Sequence, residues 1–154
     1  MVGFQEILFL IAVTLSAGYF GMWFRRYEMS GLEMWFPIGL LVSYAINPVA
    51  GFIVAFTILT MTWFLYPYGL HHLAITAASF AGSFYLAAVL FPVTAETFLW
   101  QAMIVAGIFQ LVSNIFYIAT KYPLIRIFRF IIINILLCWL IFSKVGWPLL
   151  LWLK

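Results

Sequence analysis

The stretch "VSYAINPVAG", residues 42–51, decides the fold predicted from this sequence. It lies inside an apolar run from Met34 to Tyr66 that contains no charged residue. As a single helix this run would be about 50 Å long, whereas the hydrocarbon core of a bilayer is about 30 Å thick. The run is therefore either one tilted and kinked span, or two helices joined by a turn at Asn47-Pro48.

The amino-acid composition indicates whether this chain folds in water or in a membrane. Of its 154 residues, 68% are hydrophobic and only 7% are charged, whereas a soluble domain carries about 25% charged residues. We therefore predict a single integral membrane domain covering residues 1–154, located in the plasma membrane, with the lipid bilayer as its first partner. The cations lie at the ends of apolar segments and form no dense basic run, which argues against a nucleic-acid partner.

Proline chemistry and the distribution of charge both favour the turn. Pro48 lacks an amide hydrogen and disfavours helical geometry at Asn47. A turn gives six spans and places the loop carrying Arg25 and Arg26 on the same face as the loop carrying Lys121, as the positive-inside tendency prefers. We predict an all-α bundle of six transmembrane helices, with five as the alternative, in which the second helix is short or broken and ends at Asn47-Pro48.

The short second helix has a consequence of its own. From Trp35 to Ile46 it would be only about 18 Å long, too short to cross a bilayer unaided. Irregular backbone at membrane depth is tolerated only where protein or a water-filled cavity covers it, and broken helices mark binding sites in many transporters. The short helix therefore indicates a cavity; a simple proline kink is the alternative.

Amide and hydroxyl side chains at membrane depth are the candidates for a pocket. Gln110, Ser113 and Asn114 share one face of the fifth predicted span, because they are three and four residues apart. Asn134 occupies a comparable position in the last span. Together with Asn47, these residues are predicted either to line a small-molecule pocket or to make hydrogen bonds between helices.

Small residues recur every four positions in the fourth predicted span, at Ala74, Ala78 and Gly82. Such a stripe lets two helix backbones approach closely. We predict that it packs inside the bundle, or alternatively against another membrane subunit.

Four arginines at span ends, Arg25, Arg26, Arg126 and Arg129, are predicted to reach lipid headgroups, because long cationic side chains extend to the membrane surface. The tail "GWPLLLWLK", residues 146–154, is predicted to lie along the interface, since its tryptophans suit headgroup depth.

The sequence carries no pattern typical of an enzyme. It contains no Ser-His-Asp set, no HExxH motif and no phosphate-cradling glycine loop. Cys138 is the only cysteine, and His71 and His72 are adjacent rather than on one helix face, so a metal site is not expected. No charged residue falls deep in a predicted span. We predict no catalytic residues, no bound metal and no cofactor.

One segment resembles known membrane proteins. Residues 47–75, "NPVAGFIVAFTILTMTWFLYPYGLHHLAI", are similar to the corresponding stretch of the rod-shape protein MreD and, more distantly, of the S components of energy-coupling-factor transporters. The similarity is carried by turn and packing residues: Pro48, Gly51, Pro67, Gly69, Leu70 and His71. An acidic residue often found near the end of the third helix in MreD is replaced here by Met61-Thr62-Trp63.

The resemblance implies a six-span bundle and two different roles. Similarity to S components implies a vitamin or metal-ion pocket and a surface that docks on a coupling subunit. Similarity to MreD implies a scaffold that binds other membrane proteins of the cell-wall machinery.

Three functions are therefore carried forward from the sequence. The leading prediction is a non-enzymatic scaffold or ligand-binding subunit of a larger membrane assembly. The second is an independent small-molecule transporter or channel with a pocket near Asn47, Gln110, Asn114 and Asn134. The third is a membrane-anchor subunit of a respiratory-type complex, in which His71 or His72 would bind a cofactor.

Overall fold

The structure is a computed structural model that describes residues 3–27, 29, 31–65, 67 and 69–154. Within these residues it contains helices and no strand. The helices are α1 (Phe4–Arg26), α2 (Trp35–Ala45), α3 (Pro48–Leu65), α4 (Leu70–Leu90), α5 (Phe98–Ala119) and α6 (Leu124–Leu153).

The predicted all-α bundle is confirmed. In the described part of the chain, the four helices α1, α4, α5 and α6 are long and apolar enough to cross a membrane, whereas α2 and α3 are shorter apolar helices. The chain is therefore an integral membrane protein, in which the shorter helices α2 and α3 pack among the longer ones.

The chain reverses direction at Asn47-Pro48. Asn47 Oδ1 accepts a hydrogen bond of 2.8 Å from the backbone N–H of Ala50, so Asn47 caps α3. Pro48 takes the first helical position, where its missing N–H costs nothing. The backbones of α2 and α3 then approach so closely that a Cβ on Gly51 would lie 2.5 Å from the carbonyl oxygen of Gly39. The single kinked span is thus wrong, and the basic segments after α1 and before α6 lie at one end of the bundle, which we call the basic end.

Helix α2 begins in the middle of the bundle. The ring of Trp35, its first residue, lies 5.0 Å from that of Phe80, which is midway along α4. Just before it, Gly31 has a φ of 105° and is packed so tightly that an added Cβ would lie 2.8 Å from Ile133 Cβ on α6. Residues 31–34, called the descending segment below, therefore reach the centre of the bundle before α2 starts.

Aromatic side chains surround α2 and form the core. Phe36 is fully buried, and its ring stacks on Phe109 of α5 at 4.4 Å and meets Phe84 of α4 at 5.7 Å. Such pairs contribute about 0.5–1.5 kcal/mol each beyond their buried area. The shortest helix is in this way the most completely enclosed one.

The end of α6 differs from the prediction for the tail. The helix does not stop at the interface but continues through a π-helical turn, Phe142–Gly146, to Leu153. Gly146 permits close contact with Phe98 of α5, because an added Cβ would lie 2.6 Å from that ring. Trp152 packs edge-on against Phe9 at the start of α1, with ring centroids 4.8 Å apart. The tail is therefore part of the bundle.

Candidate functional site: a polar cavity beneath the basic end

A cavity of about 90 Å³ lies between the basic end and the start of α2. One water needs about 10–15 Å³ of such volume, so the cavity holds several waters or one small polar group. Its polar lining comes from α1, the descending segment, α4, α5 and α6, namely Arg25, Glu33, His72, Thr76, Asn114 and Arg126.

Glu33 is the most unusual residue of this lining, because its side chain is fully buried. Its Oε1 accepts a hydrogen bond of 3.3 Å from Arg25 Nε, and its Oε2 accepts one of 2.5 Å from the backbone N–H of Gly31. The carboxylate also lies just ahead of α2, whose N-terminus has no side-chain cap and whose dipole favours negative charge. These three contributions offset the cost of burying a carboxylate.

Sequence analysis missed the position of Glu33. It placed no charged residue deep in a span and overlooked the descending segment, which carries Glu33 inward. The length of α2 could have predicted the position of Glu33. Because α2 is about 16 Å long and the turn at Asn47 lies at one end of the bundle, the first residue of α2 lies near mid-depth, and Glu33 with it.

Two predicted site residues have other partners. Asn47 is exposed at the end of the bundle opposite the cavity, where it caps α3, so it does not line this cavity. Arg25 turns inward to the ion pair with Glu33, with 21% of its side chain exposed, instead of extending to headgroups. Arg26, Arg126 and Arg129 are exposed at the basic end, where headgroup contact remains a prediction.

The buried amides form one hydrogen-bonded network. Gln110 Nε2 donates to Asn134 Oδ1 at 2.6 Å, and Asn114 Nδ2 donates to Gln110 Oε1 at 3.0 Å. Asn134 Nδ2 donates to the carbonyl oxygen of Gly31 at 3.3 Å. The network therefore joins α5 and α6 and holds the descending segment in place. Ser113, by contrast, donates within its own helix.

A second cluster of polar side chains, carried by α4 and α5, lies beside the cavity. The hydroxyl oxygens of Thr76 and Tyr117 lie 2.5 Å apart, and the Tyr117 hydroxyl also donates to the carbonyl oxygen of His72 at 3.3 Å. The His72 ring lies 5.2 Å from that of Tyr117 and 5.0 Å from that of Tyr122. His71, its neighbour, is exposed. No group of three potential metal ligands occurs among the residues that the structure describes.

Trp35 forms the floor of the cavity at the start of α2. The residue is 2% exposed, and its ring packs against Phe80 and Phe130 at 5.0 and 5.9 Å. Its indole Nε1–H is buried and has no acceptor among the described residues. An indole N–H can only donate, so this group is an unsatisfied donor, and it is enclosed by protein atoms rather than exposed to the cavity.

The small-residue stripe faces away from the bundle. Ala74, Ala78 and Gly82 are exposed and line an apolar groove of about 500 Å³ between α4 and α5, with Val112 and Phe116 on its other side. An added Cβ on Gly82 would meet nothing within 4 Å. The prediction that this stripe packs inside the bundle is therefore wrong.

Comparison with known proteins adds no assignment. No protein-family model, curated protein or solved structure matches this chain. The resemblance to MreD and to S components thus stays a prediction, and function has to be argued from the cavity itself.

Proposed function

We propose that this chain is a non-enzymatic solute-binding protein of the cell membrane, which takes a small polar molecule into the cavity beneath its basic end. It would serve as the ligand-binding subunit of a larger membrane assembly. The observation that carries the proposal is Glu33, a fully buried carboxylate paired with Arg25 on the wall of a polar cavity inside a membrane bundle.

A purely structural role accounts for only part of this polarity. The amides of Gln110, Asn114 and Asn134 bond to one another and to the descending segment, as a structural network should. The adjoining cavity keeps room for several waters. Ionisable and polar groups at membrane depth are costly and commonly mark ligand or ion pathways, which supports a binding role.

Helix α2, which starts in the middle of the bundle, supports a transport role in addition to ligand binding. In many transporters a helix that starts at mid-depth directs its N-terminus toward the substrate, and α2 starts beside the cavity in this way. The basic end carries Arg25, Arg26, Lys121, Arg126 and Arg129, and the positive-inside tendency orients such an end toward the cytoplasm. The cavity would then exchange its ligand with the cytoplasm.

Water access to the cavity tests the proposal. In a Cys138→Ala background, we expect Thr76→Cys to react with a small hydrophilic methanethiosulfonate added on the side that modifies Lys121→Cys. Thr76 lines the cavity, whereas Ala87 is equally buried on α4 but distant from it. Ala87→Cys is therefore the matched control and should stay unmodified. If Thr76→Cys is as unreactive as Ala87→Cys, the cavity admits no solute and the proposal is overturned.

A scaffold role is the second candidate, and the groove on α4 favours it. Ala74, Ala78 and Gly82 leave a shallow channel on the outer surface, along which another helix backbone could approach closely. A lipid chain has no need of such close approach. The proposed occupant is a transmembrane helix of a partner subunit.

We expect Gly82→Leu to dissociate a native complex while leaving the bundle folded, because the new side chain fills the groove and meets no atom of its own chain within 4 Å of its Cβ. Native gel electrophoresis of gently solubilised membranes measures the complex. Gly107→Leu on α5 is the control, since Gly107 is equally open and lies outside the groove. A complex unchanged by Gly82→Leu would exclude the groove as an interface.

A further inference from the structure

Building on the proposed function, we infer that the ligand is an anion: a molecule carrying a phosphate or carboxylate group, held in the cavity by Arg126. This residue lines the cavity from the first turn of α6.

The charge balance of the cavity favours an anion. The only acid in the described lining is Glu33, and Arg25, the Gly31 N–H and the α2 dipole already offset its charge. Arg126 makes no ion pair with any described residue. Its guanidinium therefore contributes a net positive charge at the cavity.

Other cations at the basic end strengthen the preference of the cavity for an anion. Arg26, Lys121 and Arg129 lie at the same end of the bundle, so the field over the cavity is positive and should raise the local concentration of anions. The cavity volume of about 90 Å³ suits a single oxyanion group. The remainder of the ligand would extend toward the basic end, whether the group belongs to a free solute or to a lipid headgroup.

Charge selectivity of thiol modification tests the inference. In neutral phosphatidylcholine vesicles, we expect Thr76→Cys in the Cys138→Ala background to react at least about tenfold faster with an anionic sulfonatoethyl methanethiosulfonate than with its cationic trimethylammonium analogue, after correction for their intrinsic rates. Arg126→Gln should reduce this ratio severalfold. Arg129→Gln removes a charge from the same helix, but outside the cavity lining, and should leave most of the rate ratio unchanged.

Protection experiments identify the source of the oxyanion. If inorganic phosphate slows the anionic reaction in neutral vesicles, the site takes a free solute; if phosphatidylglycerol in the vesicles slows it, the site takes a lipid headgroup. In either case Arg126→Gln, which removes the positive charge at the cavity, should weaken protection severalfold. The melting temperature of each variant shows whether the bundle remains folded.

The outcomes separate the two proposals. Equal rates with both reagents, a faster cationic reaction, or protection by neither phosphate nor phosphatidylglycerol overturns the anion inference while leaving a solute-accessible cavity. Lack of reaction with either reagent removes the proposed function itself.

Discussion

Replacing Gly51 by alanine should lower the free energy of unfolding by about 3 kcal/mol, the upper end of the range for an overpacked core. The new Cβ would lie 2.5 Å from the carbonyl oxygen of Gly39 and 2.8 Å from the backbone nitrogen of Ser43. Both atoms belong to the backbone of α2, which is enclosed by other helices and cannot withdraw. Unfolding in mixed detergent micelles, followed by circular dichroism, measures the change.

Gly107→Ala is the matched control for this experiment. Gly107 is also helical, but an added Cβ would meet nothing within 4 Å, so alanine should be neutral or stabilise by up to about 1 kcal/mol. The two substitutions are chemically identical, but only the one at Gly51 should destabilise the bundle. Equal effects would mean that α2 and α3 are not in backbone contact.

The second large effect is expected for Glu33→Ala, which leaves Arg25 and the Gly31 N–H without their acceptor. Breaking a buried ion pair by removing one partner typically costs 3–5 kcal/mol. Because Arg25 keeps 21% of its side chain exposed, we expect about 3 kcal/mol, near the lower limit of that range. The same detergent unfolding measurement applies.

Related variants separate charge from hydrogen bonding in this pair. Glu33→Gln keeps an acceptor for the Gly31 N–H and should cost less than Glu33→Ala, and adding Arg25→Gln to it should restore part of the loss. Glu96→Ala removes an exposed carboxylate and should have no measurable effect. If Glu33→Ala behaves like Glu96→Ala, then Glu33 is not buried.

The features predictable from the sequence were those set by local chemistry and by bilayer thickness. Pro48 and Asn47 determine a helix boundary within a few residues of chain, and a 33-residue apolar run is too long for one upright span, which favours a fold-back. The six-helix bundle follows from these two facts. The depth of α2 follows less directly, because it requires the position of the turn relative to the membrane surface.

The partners of individual side chains required the tertiary structure. Glu33 meets Arg25 only because Gly31 adopts a φ of 105° and the amide of Asn134, far along the chain, holds it there. The stripe on α4 illustrates a second limit. Phe80 and Phe84 are spaced by four residues, like Ala78 and Gly82, and the spacing alone does not say which pair is buried. The aromatic pair occupies the interior because its rings pack against those of Phe36 and Phe109, whereas apolar surface facing lipid gains nothing from leaving water.

The central position of α2 also constrains how the protein is assembled in the membrane. A segment of 11 residues is too short to be inserted as an independent span, so α2 should enter the bilayer together with α3 as a hairpin. The descending segment gains its anchor, Asn134, only when α6 has been synthesised. We therefore expect the first quarter of the chain to reach its final structure after the last helix has been made.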